Sequence, residues 1–198
     1  MKKLWLTGVS VLLLAACGGG GAGSATTPDG TKINLDISSK GEVSGKTDNG
    51  KLEGYNNNHS FYGVWLDDSK QLKELRYQGT VTADREVPRS GQATYIGSAV
   101  RLDSLTKDIL TDGTSRIDVD FGEKTVKGEI DMPFPRRDIT LHEGRLNGAS
   151  YSGNASVLGN SSGSYQGGLF GPNAAETAGI VQFDTNHDLD TVFGGKKY

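Results

Sequence analysis

The sequence is short of most of what chemistry at a protein site usually draws on. It has one cysteine, three histidines and two methionines in 198 residues. The single thiol, Cys17, rules out a disulfide within the chain, and the only histidines are His59, His142 and His187. No apolar run reaches the roughly 20 residues that a membrane-spanning helix needs. Positive charge is not in surplus either: 21 Lys and Arg stand against 24 Asp and Glu, a net charge of −3. That balance argues against a nucleic-acid partner, which calls for a clustered basic face. Helical periodicity is missing as well, since no long segment repeats apolar residues at i, i+3, i+4 and i+7. Glycine is plentiful, with 29 residues against only 5 prolines.

The N-terminus carries the firmest local signal. Lys2 and Lys3 precede an apolar run from Leu4 to Leu14, and Leu14-Ala15-Ala16-Cys17 then places small residues before a cysteine. This is the pattern of a secretory signal peptide ending in a lipobox, so residues 1–17 are read as a lipoprotein signal with Cys17 as the lipidation site. Cleavage before Cys17 removes 16 of the 198 residues, leaving 182 with a net charge of −5. Several acyl chains on one cysteine, at about 0.8 kcal/mol per buried CH₂, make an effectively permanent anchor. Residues 18–31 are rich in glycine and lack aromatics, so they are expected to be a disordered tether that lifts the folded part clear of the lipid headgroups.

Further along, period-two alternation dominates. Ile117, Val119 and Phe121 oppose Arg116, Asp118 and Asp120; Val126 and Ile130 oppose Lys127, Glu129 and Asp131 across a Gly122-Glu123 turn. Ile139 and Leu141, then Tyr151, Ala155 and Val157, then Tyr165 and Leu169, then Val181 and Phe183 continue the series. Together with Gly91 to Leu102, these are about seven strands at short, regular spacing, which indicates an all-β sandwich or barrel. Gly97, Gly128, Gly153, Gly167 and Gly179 share the alternation class of the apolar residues, and inward glycine favours the coiling of a closed antiparallel barrel of about eight strands. The eighth strand is either Thr191 to Tyr198 or Phe61 to Leu66. Residues 32–86 read as a small N-terminal β subdomain of short strands, "TKINLDI", "GEVSGKT", "SFYGVWLDD" and "LKELRYQGTVT", with a helical turn at Lys70 to Arg76 as an alternative, and residues 87–198 as the barrel.

One stretch interrupts the alternation. "GSYQGGLFGPNAAETAG" ends a strand at Pro172, which lacks an N–H, and Asn173 to Glu176 would close one helical turn at a barrel corner. This stretch resembles the strand-turn-strand signature in the C-terminal barrels of the transferrin-binding protein B family. "VPRSGQATYIGSAV", "TSRIDVDFGEKTVKGEI" and the terminal "VFGGKK" are similar to other blocks of that family, and factor H binding protein shares the barrel pattern. The resemblance covers residues 87–198, with length for one lobe where transferrin-binding protein B has two. It implies a monomeric, non-enzymatic lipoprotein on the outer-membrane surface of a Gram-negative bacterium. The implied partner is a host serum protein, such as a complement regulator or an iron-transport protein, bound through loops and the N-terminal subdomain.

Candidate sites are few. His142 alternates with Ile139 and Leu141 and should face outward, and no Gly-x-Ser-x-Gly elbow is present to expose a nucleophile. Asp184, Asn186 and Asp188 begin like a calcium loop, but Leu189 and Gly195 stand where that loop needs Gly and Glu, so no metal is expected. Tyr55, His59, Phe61, Tyr62, Trp65 and Tyr77 form the densest aromatic cluster. Its first reading is packing of the subdomain on the barrel. The alternative is a haem carrier, with His59 and Tyr62 as candidate iron ligands; a structural lipoprotein facing the periplasm is a further possibility.

Overall fold

Alternating apolar and polar residues put their apolar members on one face only in an extended strand, whose backbone groups then need a neighbouring strand, and hairpin after hairpin supplies one here. A computed structural model describes residues 21–133, 137–158 and 161–198. The signal segment, the lipobox and Cys17 lie outside the described residues. A hairpin of β1 (Ser24–Thr26) and β2 (Lys32–Asn34) is followed by a four-stranded antiparallel sheet of β3 (Gly41–Thr47), β4 (Gly50–Asn56), β5 (Ser60–Asp67) and β6 (Leu72–Gly79). A short 3₁₀ turn, Asp84–Glu86, leads into β7 (Gln92–Leu102), β8 (Ile109–Asp120), β9 (Thr125–Asp131), β10 (Ile139–Asn147), β11 (Ser150–Val157), β12 (Ser161–Phe170), β13 (Glu176–Phe183) and β14 (Thr191–Lys197). These eight strands close into an antiparallel barrel in which β14 pairs with both β13 and β7. The C-terminal segment is therefore the eighth strand, and Phe61 to Leu66 belongs to the N-terminal sheet.

The barrel interior is filled by side chains, among them Tyr95, Ile117, Val126, Ile139, Tyr165 and Phe193. Its glycines are matched to its rings: Gly153 lies opposite Tyr165, Gly167 opposite Tyr151 and Gly179 opposite Phe193 in the strand register. A methyl group at any of these glycines would overlap the facing ring. Inward glycine thus makes room for the aromatic across the ladder, which allows eight strands to coil tightly around large side chains.

Three layers result. Tyr62, Val64, Leu66, Leu75 and Tyr77 of the sheet pack on Val100, Phe170, Ala178, Ile180 and Val192, which project outward from the barrel. On the sheet's other side Leu52, Phe61 and Trp65 pack against Ala22, Ala25 and Leu35.

Three local expectations are corrected. Lys70 to Arg76 is not a helical turn: β6 starts at Leu72, and its register against β5 slips between the Leu66–Leu72 and Trp65–Glu74 pairs. The bulge inserts Lys73 and leaves Leu72 and Leu75 against the same core, a spacing of three that mimics a helix. The stretch 18–31 is not a free tether throughout, because Ala22 and Ala25 are buried and Ser24–Thr26 is a paired strand. Alanines that find an apolar sheet face to cover do not stay solvated. Finally, Asn173 and Ala174 take φ of 53° and 55°, so the corner before β13 is left-handed where a right-handed helical turn was expected. Ala174 is held there by burial and by the Tyr95 hydroxyl, which donates to its carbonyl at 2.8 Å.

Candidate functional site

The Gly-Pro-Asn-Ala-Ala-Glu corner is a joint between the two halves of the molecule. Glu176 opens β13 on the barrel's outer face and is 2 % exposed. Its carboxylate accepts the N–H groups of Asn58 at 3.0 Å and His59 at 2.9 Å, and the Ser60 hydroxyl at 2.8 Å. Those donors sit in the tight turn between β4 and β5, so one buried carboxylate pairs the orphan groups of a turn more than a hundred residues away. Around it, Thr80 accepts from the Gly171 amide at 2.8 Å, and the Thr82 hydroxyl donates to the Gly171 carbonyl at 2.7 Å. Gly171 has φ of 74° and its α-carbon faces the His59 ring, so any side chain there would be both strained and overlapping. The corner fixes how the sheet sits on the barrel.

The aromatic cluster is divided between two cores by strand alternation. Tyr55 and Tyr62 face the barrel and stack with ring centroids 5.6 Å apart. Phe61 and Trp65 face the N-terminal hairpin, where the Trp65 indole donates to Thr47 Oγ1 at 3.0 Å. Tyr62 is 1 % exposed, and its hydroxyl donates to the Gly194 carbonyl at 3.3 Å. Gly194 has no side chain because the Tyr62 ring occupies that space. Burial pushes the Tyr62 phenol well above its ordinary value, which opposes the phenolate that iron ligation requires. His59 lies against Gly171 at the end of the sheet. The structure does not present His59 and Tyr62 together on an accessible surface.

His142 projects outward from β10 and its Nε2 is 2.8 Å from Ser156 Oγ on β11, an exposed cross-strand pair. In the 184–190 loop the acidic groups serve the loop itself. Asp184 accepts from the Ser162 hydroxyl at 3.0 Å, and Asp190 accepts from the Phe183 amide at 2.8 Å and lies 3.1 Å from His187 Nδ1. Burial pushes the Asp190 carboxyl up, opposed by the Phe183 N–H, His187 and Arg101. Among the described residues no group of three or more His, Cys, Asp or Glu is placed to hold a metal ion.

An up-and-down barrel sends alternate connections to opposite ends. The β8–β9, β10–β11 and β12–β13 turns share the end with the Glu176 joint. The β7–β8, β9–β10, β11–β12 and β13–β14 loops share the other end. That second end carries projecting apolar side chains, Leu105 at 91 % exposure and Leu158 at 78 %. The β7–β8 loop is ordered from within: Asp103 Oδ1 accepts the amides of Leu105 at 2.8 Å and Thr106 at 3.0 Å, and the Asp103 carbonyl accepts the Lys107 amide at 2.9 Å. Beside it, a cleft of about 370 Å³ separates the β5–β6 turn from the barrel loops and is lined by Lys70, Leu72, Lys107, His187 and Asp188. An apolar side chain held out on a pinned loop beside a charged cleft suits recognition of another macromolecule. Sequence reasoning missed both Glu176 and this loop.

Comparison with known proteins agrees with the geometry. The family model described as the C-lobe and N-lobe β-barrels of transferrin-binding protein B matches residues 72–197. A curated relative, transferrin-binding protein B of Moraxella catarrhalis, is 28 % identical over an alignment 145 residues long that covers 59 % of this chain and 20 % of the relative. The chain thus spans about a fifth of that relative's length. Among solved structures, the apo haemoglobin receptor HpuA of Kingella denitrificans superposes with a TM-score of 0.70 at 21 % identity, covering 88 % of this chain and 75 % of the receptor. Isotype 1 transferrin-binding protein B from serogroup B Neisseria meningitidis gives 0.67 at 19 % identity, covering 90 % and 40 %. At these identities the structural likeness shows the fold.

Proposed function

Since this chain belongs to the family of transferrin-binding protein B β-barrels, we propose that it is a non-enzymatic lipoprotein of the outer-membrane surface that binds a host serum protein. The anchor is the acylated Cys17, and the binding surface is the loop-bearing end of the barrel together with the β5–β6 turn of the N-terminal sheet. The observation that carries this reading is Leu105, 91 % exposed on a loop whose amides are tied to Asp103. A preorganised loop loses little entropy on binding, and an apolar tip gains from desolvation. The relatives' names support the class of partner: one is a transferrin-binding protein and another a haemoglobin receptor. Iron-transport proteins and complement regulators of the host are the candidates to test.

The test is retention of a host protein from serum by the soluble form, residues 18–198, with a Leu105→Asp variant alongside. The reading expects one retained protein and a loss of at least about tenfold in affinity in the variant, the scale of a hot-spot change. No retained protein from any plausible host, or retention indifferent to substitutions throughout that end, would overturn it. Protease treatment of intact cells addresses location, since a surface protein is cleaved and a periplasmic one survives.

A further inference from the structure

We propose that the Ile33–Lys40 segment is a membrane-contact surface, resting on the bilayer interface beside the lipid anchor. This rests on the reading of Cys17 as acylated. The chain is fixed to the fold from Gly21 onward: the Gly21 carbonyl accepts the Thr80 hydroxyl at 2.6 Å, and the Ala22 and Ser24 carbonyls accept Gln78 Nε2 at 2.8 and 3.2 Å. The Gly23 amide donates to Asp36 Oδ1 at 2.7 Å, and the Leu35 amide donates to the Gly23 carbonyl at 2.9 Å. Only four residue steps separate Cys17 from Gly21, a span of at most about 14 Å in any conformation. A tether of the length expected from composition would leave the body free to face the membrane in any direction. A span this short keeps the surface around Gly21 and Asp36 at the headgroups.

That surface carries what an interface contact needs. Next to Asp36, Ile37 is 84 % exposed. Together with Ile33, Val43 and Leu52 it forms the apolar part of a groove of about 520 Å³ between the 33–39 segment and β3, whose remaining lining includes Ser38, Ser39, Glu42 and Ser44. One exposed isoleucine is unremarkable, but a partly apolar groove within reach of an acyl anchor has a defined neighbour. Lys32 and Lys40, both exposed, flank the segment and can stay at the headgroup level while Ile37 enters the acyl boundary. The layers then run outward from the lipid in the order hairpin, sheet, barrel, with the loop-bearing end clear of the membrane.

The experiment uses the full lipidated protein in phosphatidylethanolamine/phosphatidylglycerol vesicles. Cys17 is the only native cysteine and its sulfur is consumed by the lipid, so Ser39→Cys and Leu105→Cys each accept one environment-sensitive fluorophore. The expected result is a blue shift and quenching by interfacial spin-labelled lipid at position 39, neither effect at position 105, and loss of the shift at 39 when Ile37→Asp is added. Vesicle-bound protein in which position 39 is as unquenched as position 105 would overturn the proposal while leaving the anchor intact. Protein that fails to float with vesicles would remove the acylation reading and this inference with it. Because Ile37 is solvent-exposed, Ile37→Asp is expected to leave the melting temperature unchanged, which separates a membrane effect from misfolding.

Discussion

Removing the Glu176 carboxylate is the sharpest perturbation of the joint between sheet and barrel. Three donors converge on it, at 3.0, 2.9 and 2.8 Å, and hydrogen bonds to a charged group contribute about 1.5–3 kcal/mol each before non-additivity. Glu176→Ala leaves two amides and a hydroxyl facing a void with no acceptor, and a loss of about 4 kcal/mol is expected, near the top of the range for single substitutions. Glu176→Gln keeps one acceptor oxygen but turns an amide NH₂ toward a donor, for about 2 kcal/mol. Ser60→Ala removes one bond of the three, about 1.5 kcal/mol at the low end of that range, and should add almost nothing in the Glu176→Ala background. Urea unfolding of residues 18–198 reads this directly, because Trp65 is then the only tryptophan and sits in the sheet's outer core. In Glu176→Ala, Trp65 fluorescence should change at lower urea than the far-ultraviolet signal of the barrel. A Glu176→Gln variant within about 0.5 kcal/mol of the parent, the range of an ordinary surface change, would refute the clamp.

Other substitutions test the barrel interior. Gly167→Ala would drive a methyl into the Tyr151 ring, and calorimetry should show a loss of about 1–3 kcal/mol by overpacking; an unchanged melting temperature would contradict the ring-over-glycine packing. Tyr165→Phe removes a buried hydroxyl that the Val126 and His142 carbonyls share at 2.8 Å each, for about 1 kcal/mol, measured by the same scan. Alkaline titration tests the core as a whole. Burial holds the Tyr62, Tyr77, Tyr95, Tyr151 and Tyr165 phenols up, Tyr77 and Tyr165 to about 12 from an ordinary 10. Above pH 10 the unfolded chain releases protons that the folded protein keeps, so this contribution is intact below pH 10 and is lost as pH climbs toward 12. Phenolate absorbance from these five should therefore appear together with loss of circular dichroism, and their ionisation near pH 10 in a still-folded protein would refute the burial.

The barrel was legible because each of its strands keeps one face toward a single interior. Where both faces of a strand are covered, alternation disappears: β13 buries Val181 and Phe183 inward and Ala178 and Ile180 against the sheet, and such a continuous apolar run announces a second packing surface. Had that run been read this way, it would have placed the subdomain on β13, with Glu176 at the contact. The strand from Leu72 was legible, although the bulge at Lys73 lends its first residues a helix-like spacing, and the ordering of Gly21 to Thr26 depends on a sheet face contributed by residues far along the chain, which no local composition reveals. The exposed Leu105 was invisible for a related reason, since an apolar residue in sequence gives no sign of whether its loop folds inward or is pinned outward by an aspartate.

The loop-bearing end of the barrel is, on the function proposed, the surface offered to a partner. A hydrogen-exchange footprint of residues 18–198, alone and with the host protein it retains from serum, measures this most directly. Added protection is expected in peptides covering 103–108, 184–190 and the β5–β6 turn, with none in the 121–125 and 171–175 turns at the joint end. Protection confined to the joint end, with the 103–108 loop exchanging as freely in the complex as alone, would contradict the account.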